Sequence, residues 1–255
     1  MTTITVIGLG EAGRLYAEGL AGAGATVRGY DPFLTAGSDA FEQFDSLSAA
    51  LDGSDLALSI VGARAAEAVA QQAAAAAPAP LLFADLNTAS PEVKAAVGAG
   101  VAAAGLTPCD AAVMAPVPRA GHRTQLIASG PGAERLAELL APFGSPVEAI
   151  GGEMGDAARV KLLRSVFMKG LATLVIETLD AAELSGQRER LAGQIAAELG
   201  PDGPALVERL VGGTYTHAER REHEVSDALA ELQRIGAPHD MTAASLAWFR
   251  RILAG

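Results

Sequence analysis

Short apolar runs alternate with helical patterns through the first half of the chain. The runs TITVIGL, LALSIVG and LLFADLN are typical of buried strands, and a segment with helical spacing follows each of them. Ser90 and Pro91 suit the N-cap and the first residue of one such helix. Strands that alternate with helices predict βαβ units. We therefore expect an α/β fold in this half, built on a doubly wound parallel sheet.

The pattern changes after about Gly152. The stretch GDAARVKLLRSVFMKGLATLVIETLDAAELSG carries no strand or turn signal, and its apolar residues cover every side of a helical wheel. A helix that is apolar all round is typically buried. The remaining segments also show helical spacing. We therefore expect a dinucleotide-binding-type domain over residues 1–152 and an all-α domain over 153–255, which would serve the substrate and dimerisation, with a long buried interdomain helix.

Composition narrows the function classes. The formal net charge is −11 and no run of Lys or Arg occurs, which argues against nucleic acid and anionic membranes as partners. The single cysteine, Cys109, allows no disulfide within the chain and fits a buried strand position better than a nucleophile. The opening residues lack the features of a signal peptide, and the four histidines show no metal-binding spacing. We expect a soluble cytoplasmic protein without a metal.

A glycine motif stands directly after the first predicted strand. Gly8, Gly10 and Gly13 have G-x-G-x-x-G spacing and open a helical segment. In a dinucleotide site the first glycine allows a tight turn, the second lets the backbone approach the pyrophosphate, and the third lets helix and strand pack closely. The motif therefore predicts a Rossmann-like domain, with cofactor contacts from Gly8, Leu9, Gly10, Glu11, Ala12 and Gly13. The alternative is a glycine-rich turn without a ligand.

Asp31 follows the second predicted strand, eighteen residues after Gly13. A carboxylate at this place accepts hydrogen bonds from the ribose hydroxyls and repels a 2′-phosphate, so we expect NAD in preference to NADP. Arg28 weakly favours NADP, and an Asp-Pro turn is the structural alternative for Asp31. Val61, Asn87 and Thr88 end two further strands at the edge where ligands bind in such folds. We assign them to the cofactor site; a turn at the start of a helix is the alternative for Asn87 and Thr88.

Four stretches, VIGLGEAG, DLNTASPEV, CDAAVMAPVPRAGHRTQLIASG and GDAARVKLLRS, resemble motifs of the β-hydroxyacid dehydrogenase family. That family includes 3-hydroxyisobutyrate, tartronate semialdehyde and 6-phosphogluconate dehydrogenases. Gly155 and Lys161 match its glycine and the lysine six residues later. The resemblance implies an NAD(P)-dependent oxidoreductase that transfers hydride between the nicotinamide and a small hydroxy or oxo acid. It also implies that Lys161 is the general acid and base.

The chain also departs from that family. Met114, Ala115 and Pro116 replace the Ser-Gly-Gly that binds the substrate carboxylate, and Arg164-Ser165 replaces an Asn pair. Met168 stands where 6-phosphogluconate dehydrogenase has an additional glutamate. The chain resembles a divergent branch with a C-terminal domain of unknown function. The resemblance therefore extends to the fold and to the lysine chemistry, but it does not identify the substrate.

The residues around Lys161 suggest how the chemistry would proceed. A lysine in an apolar environment can act as a base because burial disfavours the ammonium form. Ser165, one turn further on the predicted helix, could hydrogen-bond the reacting oxygen, so we assign Lys161 and Ser165 to catalysis. The alternative for Lys161 is a solvent-directed lysine or one paired with Asp156. We assign substrate contacts to Met114, Ala115, Pro116, Arg164, Lys169 and Arg220.

Several alternatives remain open from the sequence. Arg220 lies on a predicted helix face with His217, Arg221 and Glu224, which could equally be a solvated charged surface. The enzyme could instead reduce an imine or a carbonyl without a carboxylate. A dinucleotide-binding sensor or partner protein without catalysis is a further possibility. We expect a small-molecule substrate, a carboxylic acid, and a homodimer, because the apolar helix exceeds what one small domain covers.

Overall fold

The computed structural model describes residues 2–77 and 80–254 and divides the chain into two compact units, Met1–Lys161 and Leu162–Gly255. The first unit is α/β and the second is all-α, which confirms the predicted fold class. The division falls inside a long helix, whereas the sequence suggested a boundary at residue 152, ahead of that helix. The assignment of domains to 1–152 and 153–255 stays a prediction.

Within the described residues an eight-stranded sheet forms the centre of the first unit. Along the chain its strands are β1 (Thr3–Ile7), β2 (Thr26–Tyr30), β3 (Glu42–Gln43), β4 (Leu56–Ser59), β5 (Leu82–Asp85), β6 (Thr107–Val113), β7 (Leu126–Ser129) and β8 (Val147–Ala149). In space they follow the order β3-β2-β1-β4-β5-β6-β7-β8. The direction of winding therefore reverses between β1 and β4. In open parallel sheets this is the point where a crevice forms at the carboxyl ends of the strands.

Helices cover both faces of the sheet. They are α1 (Glu11–Gly22), α2 (Leu47–Leu51), α3 (Ala63–Ala76), α4 (Pro91–Ala103) and α5 (Ala133–Leu140). Val6 of β1 joins a core with residues of α1 and α5, whereas the next residue, Ile7, joins a second core with residues of α2, α3 and α4. Successive side chains of a strand point to opposite faces. Both faces are thus buried, and the doubly wound arrangement is confirmed.

One strand pair departs from the all-parallel expectation. β7 runs antiparallel to β6, with Asp110 opposite Ser129, and β8 is then parallel to β7. The connection between β6 and β7 contains two short 3₁₀ turns and no crossover helix. A parallel return needs a long crossover, most often through a helix. The predicted parallel sheet therefore contains one antiparallel strand pair.

The second unit is helical throughout its described residues. Helix α6 (Asp156–Glu183) runs into it and is followed by α7 (Arg188–Glu198), α8 (Gly203–Thr216), α9 (Ala218–Arg234) and α10 (Asp240–Ala254). Ala172, Val175 and Leu179 of α6 pack with residues of α7 and α8. Among the described residues, no helix is both long enough and apolar enough to cross a membrane.

The long helix formed as predicted, but its burial on every side was wrong for a single chain. Phe167 is 66% exposed and Leu174 is 55% exposed, and Leu163 is exposed as well. The sequence wheel showed apolar residues all round, yet the neighbouring helices are too few to cover every side. The uncovered residues lie at positions 163, 167 and 174, which share one face of a helix.

Candidate functional site

The glycine loop between β1 and α1 is shaped by two close backbone approaches. Gly8 has a φ of +93°, and a Cβ there would lie 2.5 Å from the carbonyl oxygen of Ile60. A Cβ on Gly13 would lie 1.8 Å from the carbonyl oxygen of Gly8. Neither position has room for a side chain, so the tight turn and the close packing of α1 both depend on glycine.

Gly10 differs from the other two glycines. It is the N-cap of α1, and nothing lies within 4 Å of the place where its Cβ would be. The positive end of the helix dipole and the first N–H groups of α1 are therefore next to open space. Leu9 is buried in the core, whereas Glu11 is exposed and Ala12 is half-buried in the first turn. This geometry supports a phosphate-binding loop.

Asp31 joins the glycine loop to the segment that follows β2. Its Oδ2 accepts a hydrogen bond of 2.8 Å from the Leu9 amide, and its Oδ1 accepts from the amides of Phe33 and Leu34 at 2.9 and 3.1 Å. The turn expected for an Asp-Pro pair is therefore present. The half-buried carboxylate also lies at the end of β2, beside the glycine loop, where a ribose partner is expected. The two interpretations are compatible.

The contacts of Arg28 hold it away from a role in binding the 2′-phosphate of NADP. Its guanidinium donates to the carbonyl oxygens of Ala49 and Asp52, at the end of α2, and lies 5.2 Å from the centre of the Phe44 ring. These contacts satisfy carbonyl groups that the helix leaves without partners. The residue that weakly favoured NADP thus has a structural role at α2.

The buried side chain of Asn87 connects two strand ends at the sheet edge by hydrogen bonds. Its Oδ1 accepts from the amides of Val61 and Gly62, both at 2.7 Å, and its Nδ2 donates to Ser59 Oγ at 3.1 Å and Asp85 Oδ1 at 2.6 Å. The side chain thereby ties the end of β4 to the end of β5. Its contribution to the cofactor site, and that of Val61, stays a prediction, and these bonds show that both residues shape the edge.

Lys161 lies at the same edge of the first unit. Its Nζ donates a hydrogen bond of 3.0 Å to Oγ1 of Thr88, which is exposed just beyond β5. Gly155, directly before α6, has a φ of +103°, and a Cβ there would lie 2.6 Å from the carbonyl oxygen of Pro91. The start of α6 therefore packs closely on the start of α4, which brings Lys161 to Thr88. Asp156, the alternative partner, forms an ion pair with Arg159.

Sequence reasoning missed a buried ion-pair cluster below this edge. Lys94 of α4 lies with Nζ 3.1 Å from Asp85 Oδ2 and 3.1 Å from Asp110 Oδ1, and all three side chains are at most 1% exposed. The signal was present, because each charge interrupts a run that is otherwise apolar. Cys109, next to Asp110, is fully buried, and burial raises the pKa of its thiol to about 12, so it stays protonated at neutral pH.

The segment that replaces the family's Ser-Gly-Gly is apolar in its contacts. Met114 packs beside Ala112, Ile127 and Ala157, and Ala157 belongs to the first turn of α6. Ala115 and Pro116 are exposed. Met114 is thus close to the helix that carries Lys161.

The other predicted residues belong to the second unit. Lys169 forms an ion pair of 2.6 Å with Glu224, and Arg220 lies 3.9 Å from the same carboxylate. A single carboxylate, Glu224, thus lies near both expected substrate anchors. Arg164 is exposed and Ser165 is half-buried on α6. Their roles, with those of Lys169 and Arg220, stay predictions.

His122 is part of the core. Its Nε2 lies 3.0 Å from the Phe143 carbonyl oxygen, and its ring packs over Gly19 of α1.

The sheet, its switch point and the glycine loop define a dinucleotide-binding protein of the Rossmann class. Comparison with known families agrees: the model of the NAD binding domain of 6-phosphogluconate dehydrogenase matches residues 3–151. The chain belongs to this family of NAD binding domains. Residues 182–252 match a domain of unknown function, DUF1932.

Known relatives extend the similarity over the chain. A conserved hypothetical protein from Sinorhizobium meliloti 1021 is 31% identical, covers 98% of this chain and 88% of its own, and has a TM-score of 0.81. Mycobacterium tuberculosis 3-hydroxyisobutyrate dehydrogenase shares the fold at 22% identity, covers 100% of this chain and 94% of its own, and has a TM-score of 0.84. An uncharacterized 28.5 kDa protein of Methanothermus fervidus is 28% identical over 146 residues, which are 57% of this chain and 56% of that protein. The chain thus matches about half the length of this curated relative.

Gly10 and Gly13 predict different effects of the same substitution. Gly10→Ala should leave the free energy of unfolding nearly unchanged, because its Cβ meets no protein atom, yet weaken NADH binding by about 10-fold or more, because the methyl group fills the space the phosphates need. Gly13→Ala should destabilise the fold by about 1–3 kcal/mol through its clash with Gly8. NADH titration and urea unfolding measure the two effects.

Gly22→Ala is the matched control, since Gly22 lies in the same helix, is exposed and has open space around it. Gly22→Ala should lower neither the affinity for NADH nor the free energy of unfolding. Normal NADH affinity in Gly10→Ala would contradict the phosphate-binding role of the loop.

Proposed function

We propose that this chain is an NAD-dependent oxidoreductase that interconverts a small hydroxy acid and its oxo acid, with Lys161 as general acid and base. The observation that carries the proposal is the hydrogen bond between Lys161 Nζ and Thr88 Oγ1. It brings the one lysine that matches the family motif to the carboxyl edge of a dinucleotide-binding sheet. Ligands of such sheets bind at this edge.

The residues around the glycine loop fit a pyridine dinucleotide. Gly10 leaves open space at the start of α1, where N–H groups and the helix dipole favour phosphate. The Asp31 carboxylate still has acceptor capacity on Oδ2 after its three backbone contacts, because two of them are to Oδ1 and only one is to Oδ2. It favours a ribose with free hydroxyl groups and disfavours a 2′-phosphate. This supports NAD as the cofactor, and the position of Arg28 at α2 agrees with it.

Lys161 would act on the substrate oxygen. Oxidation of a hydroxyl group requires a base for its proton while hydride leaves the same carbon for the nicotinamide. The neutral amine of Lys161 accepts that proton, and in the reverse direction its ammonium form polarises the carbonyl and returns the proton. Thr88 accepts a hydrogen bond from Nζ and thereby orients it. Ser165, on the same helix, would assist at the same oxygen, while Arg164, Lys169 and Arg220 would hold the carboxylate.

Met114 favours a second candidate, the reduction of an imine or of a carbonyl compound without a carboxylate. Its side chain packs with Ala112, Ile127 and Ala157, and Pro116 has no N–H to offer a carboxylate. An apolar segment at this place suits an apolar substituent better than an anion. A panel of β-hydroxy acids, oxo acids and cyclic imines separates the two: turnover of imines alone would replace the first proposal by this one.

Asp31→Asn tests the cofactor assignment. The amide keeps the size of the side chain but removes the charge that opposes a 2′-phosphate, so the preference for NADH over NADPH should fall by about 10-fold or more. Fluorescence titration with both nucleotides measures the ratio. Asp39→Asn, in the same exposed segment between β2 and β3, is the control and should leave it unchanged. An unaltered ratio in Asp31→Asn would contradict the ribose role.

Lys161→Met tests the chemistry. Loss of the acid and base should lower kcat by about 10²–10⁴-fold while NADH binding is retained, because the residue acts on the substrate. Arg135→Met removes an exposed cation that pairs only at the surface with Glu138, and it should behave as wild type. Near-normal kcat in Lys161→Met would refute the assignment. Tight NADH binding by the wild type without turnover of any panel member would instead support a sensor without catalysis.

The exposed apolar face of α6 supports a homodimer. Leu163, Phe167 and Leu174 lie on one face of the helix, and Phe167 is 66% exposed. Burial of these side chains against a second copy removes apolar surface from water. Phe167→Glu should therefore shift the intact chain toward the mass of one copy in analytical ultracentrifugation, whereas Glu183→Gln, at the exposed end of the same helix, should not. A wild type that sediments as a single copy would contradict the dimer.

A further inference from the structure

We propose that Lys94 is a positioning residue that holds both the cofactor edge and the start of the Lys161 helix through two buried aspartates; this rests on the proposed function. Asp85 and Asp110 lie opposite each other on the neighbouring strands β5 and β6, and both are buried to at least 99%. Two carboxylates so close, and away from water, repel each other strongly. The Lys94 ammonium lies 3.1 Å from each of them and offsets part of their combined negative charge.

Asp110 connects this cluster to the helix that carries Lys161. Its Oδ1 faces Lys94, and its Oδ2 accepts a hydrogen bond of 2.9 Å from the amide of Ala158. Ser129, the partner of Asp110 across β6 and β7, accepts from the amide of Ala157 at 2.9 Å. Both acceptors thus bind N–H groups in the first turn of α6, which have no partner within the helix. Lys161 follows Ala158 by three residues, so the position of this turn sets the position of its Nζ.

Asp85 connects the same cluster to the cofactor edge. Its Oδ2 faces Lys94, and its Oδ1 accepts from both the amide and Nδ2 of Asn87, at 3.0 and 2.6 Å. Asn87 in turn holds the amides of Val61 and Gly62 beyond β4. Lys94 also donates to the carbonyl oxygen of Asp85 at 2.7 Å. One buried ammonium therefore stabilises the segment next to the glycine loop as well as the first turn of α6.

Each aspartate uses both of its oxygens: one forms the ion pair with Lys94 and the other accepts hydrogen bonds from the second partner. An asparagine has one acceptor oxygen and one amide group that only donates, so it cannot satisfy Lys94 and the second partner together. Asp110→Asn should therefore disturb the first turn of α6, and Asp85→Asn should disturb the Asn87 segment. The two variants are each other's matched control, because substitution, burial and the Lys94 contact are the same and only the second partner differs.

The experiment compares the two variants in the full chain. Asp110→Asn should lower kcat by about 100-fold through displacement of Lys161, with NADH affinity near that of wild type. Asp85→Asn should weaken NADH binding by about 10-fold through the Asn87 segment. Hydrogen exchange should accelerate at Ala157 and Ala158 in the first variant and at Val61 and Gly62 in the second.

Lys94→Met leaves two buried carboxylates without compensation and should impair both properties together, or folding itself. The aspartate variants keep the proposal testable even if it does not fold. Equal losses of kcat and NADH affinity in both aspartate variants would show a merely structural cluster and overturn the proposal, as would hydrogen exchange that is unchanged at all four amides. A wild type without turnover would refute the proposed function alone, because nucleotide binding and hydrogen exchange still decide between the two roles of the cluster.

Discussion

The site depends on a parallel sheet that is buried on both faces. Parallel strands need crossover connections, and these cover the sheet with helices and direct the carboxyl ends of the strands to one edge. At that edge the winding reverses between β1 and β4, so the loops after these strands diverge and leave a crevice. The glycine loop, Asp31 and Asn87 all lie at this edge for the same topological reason. Catalytic groups therefore need not be close in the sequence to meet.

Close backbone contacts place the helices against this sheet. Gly8 and Gly13 let α1 start directly at the end of β1, and Gly155 lets α6 start directly on α4. A side chain at any of the three would meet backbone atoms, which cannot move aside as a flexible side chain can. Close packing thus fixes the glycine loop and also fixes Lys161 beside Thr88. Glycines thus determine the geometry of the site without taking part in its chemistry.

A cluster of buried charges, Lys94 with Asp85 and Asp110, also holds parts of this edge in place. The Lys94 cluster lies below the edge, where water does not compete, and hydrogen bonds to charged groups are strong there. Such a cluster is costly to bury and contributes mainly by holding a specific arrangement, which suits residues that orient a site. The proposed role of Lys161 requires precise placement of one amine. The network extends from strands β5 and β6 to the first turn of the helix that carries Lys161.

Periodicity and glycine spacing were enough to determine the α/β first half, the helical second half and the dinucleotide loop, because these follow from local patterns. Asp31 could be singled out for the same reason, since it stands at a fixed distance from the glycine motif, whereas Lys161 was singled out by the resemblance of its stretch to a family motif. The direction of β7, the exposed face of α6 and the Lys94 cluster were decided only by the tertiary structure. Each depends on which segments become neighbours: the pairing of β6 with β7, the helices available to cover α6, and the meeting of Asp85, Lys94 and Asp110. Local sequence patterns do not predict such pairings, because the interacting residues lie on different elements.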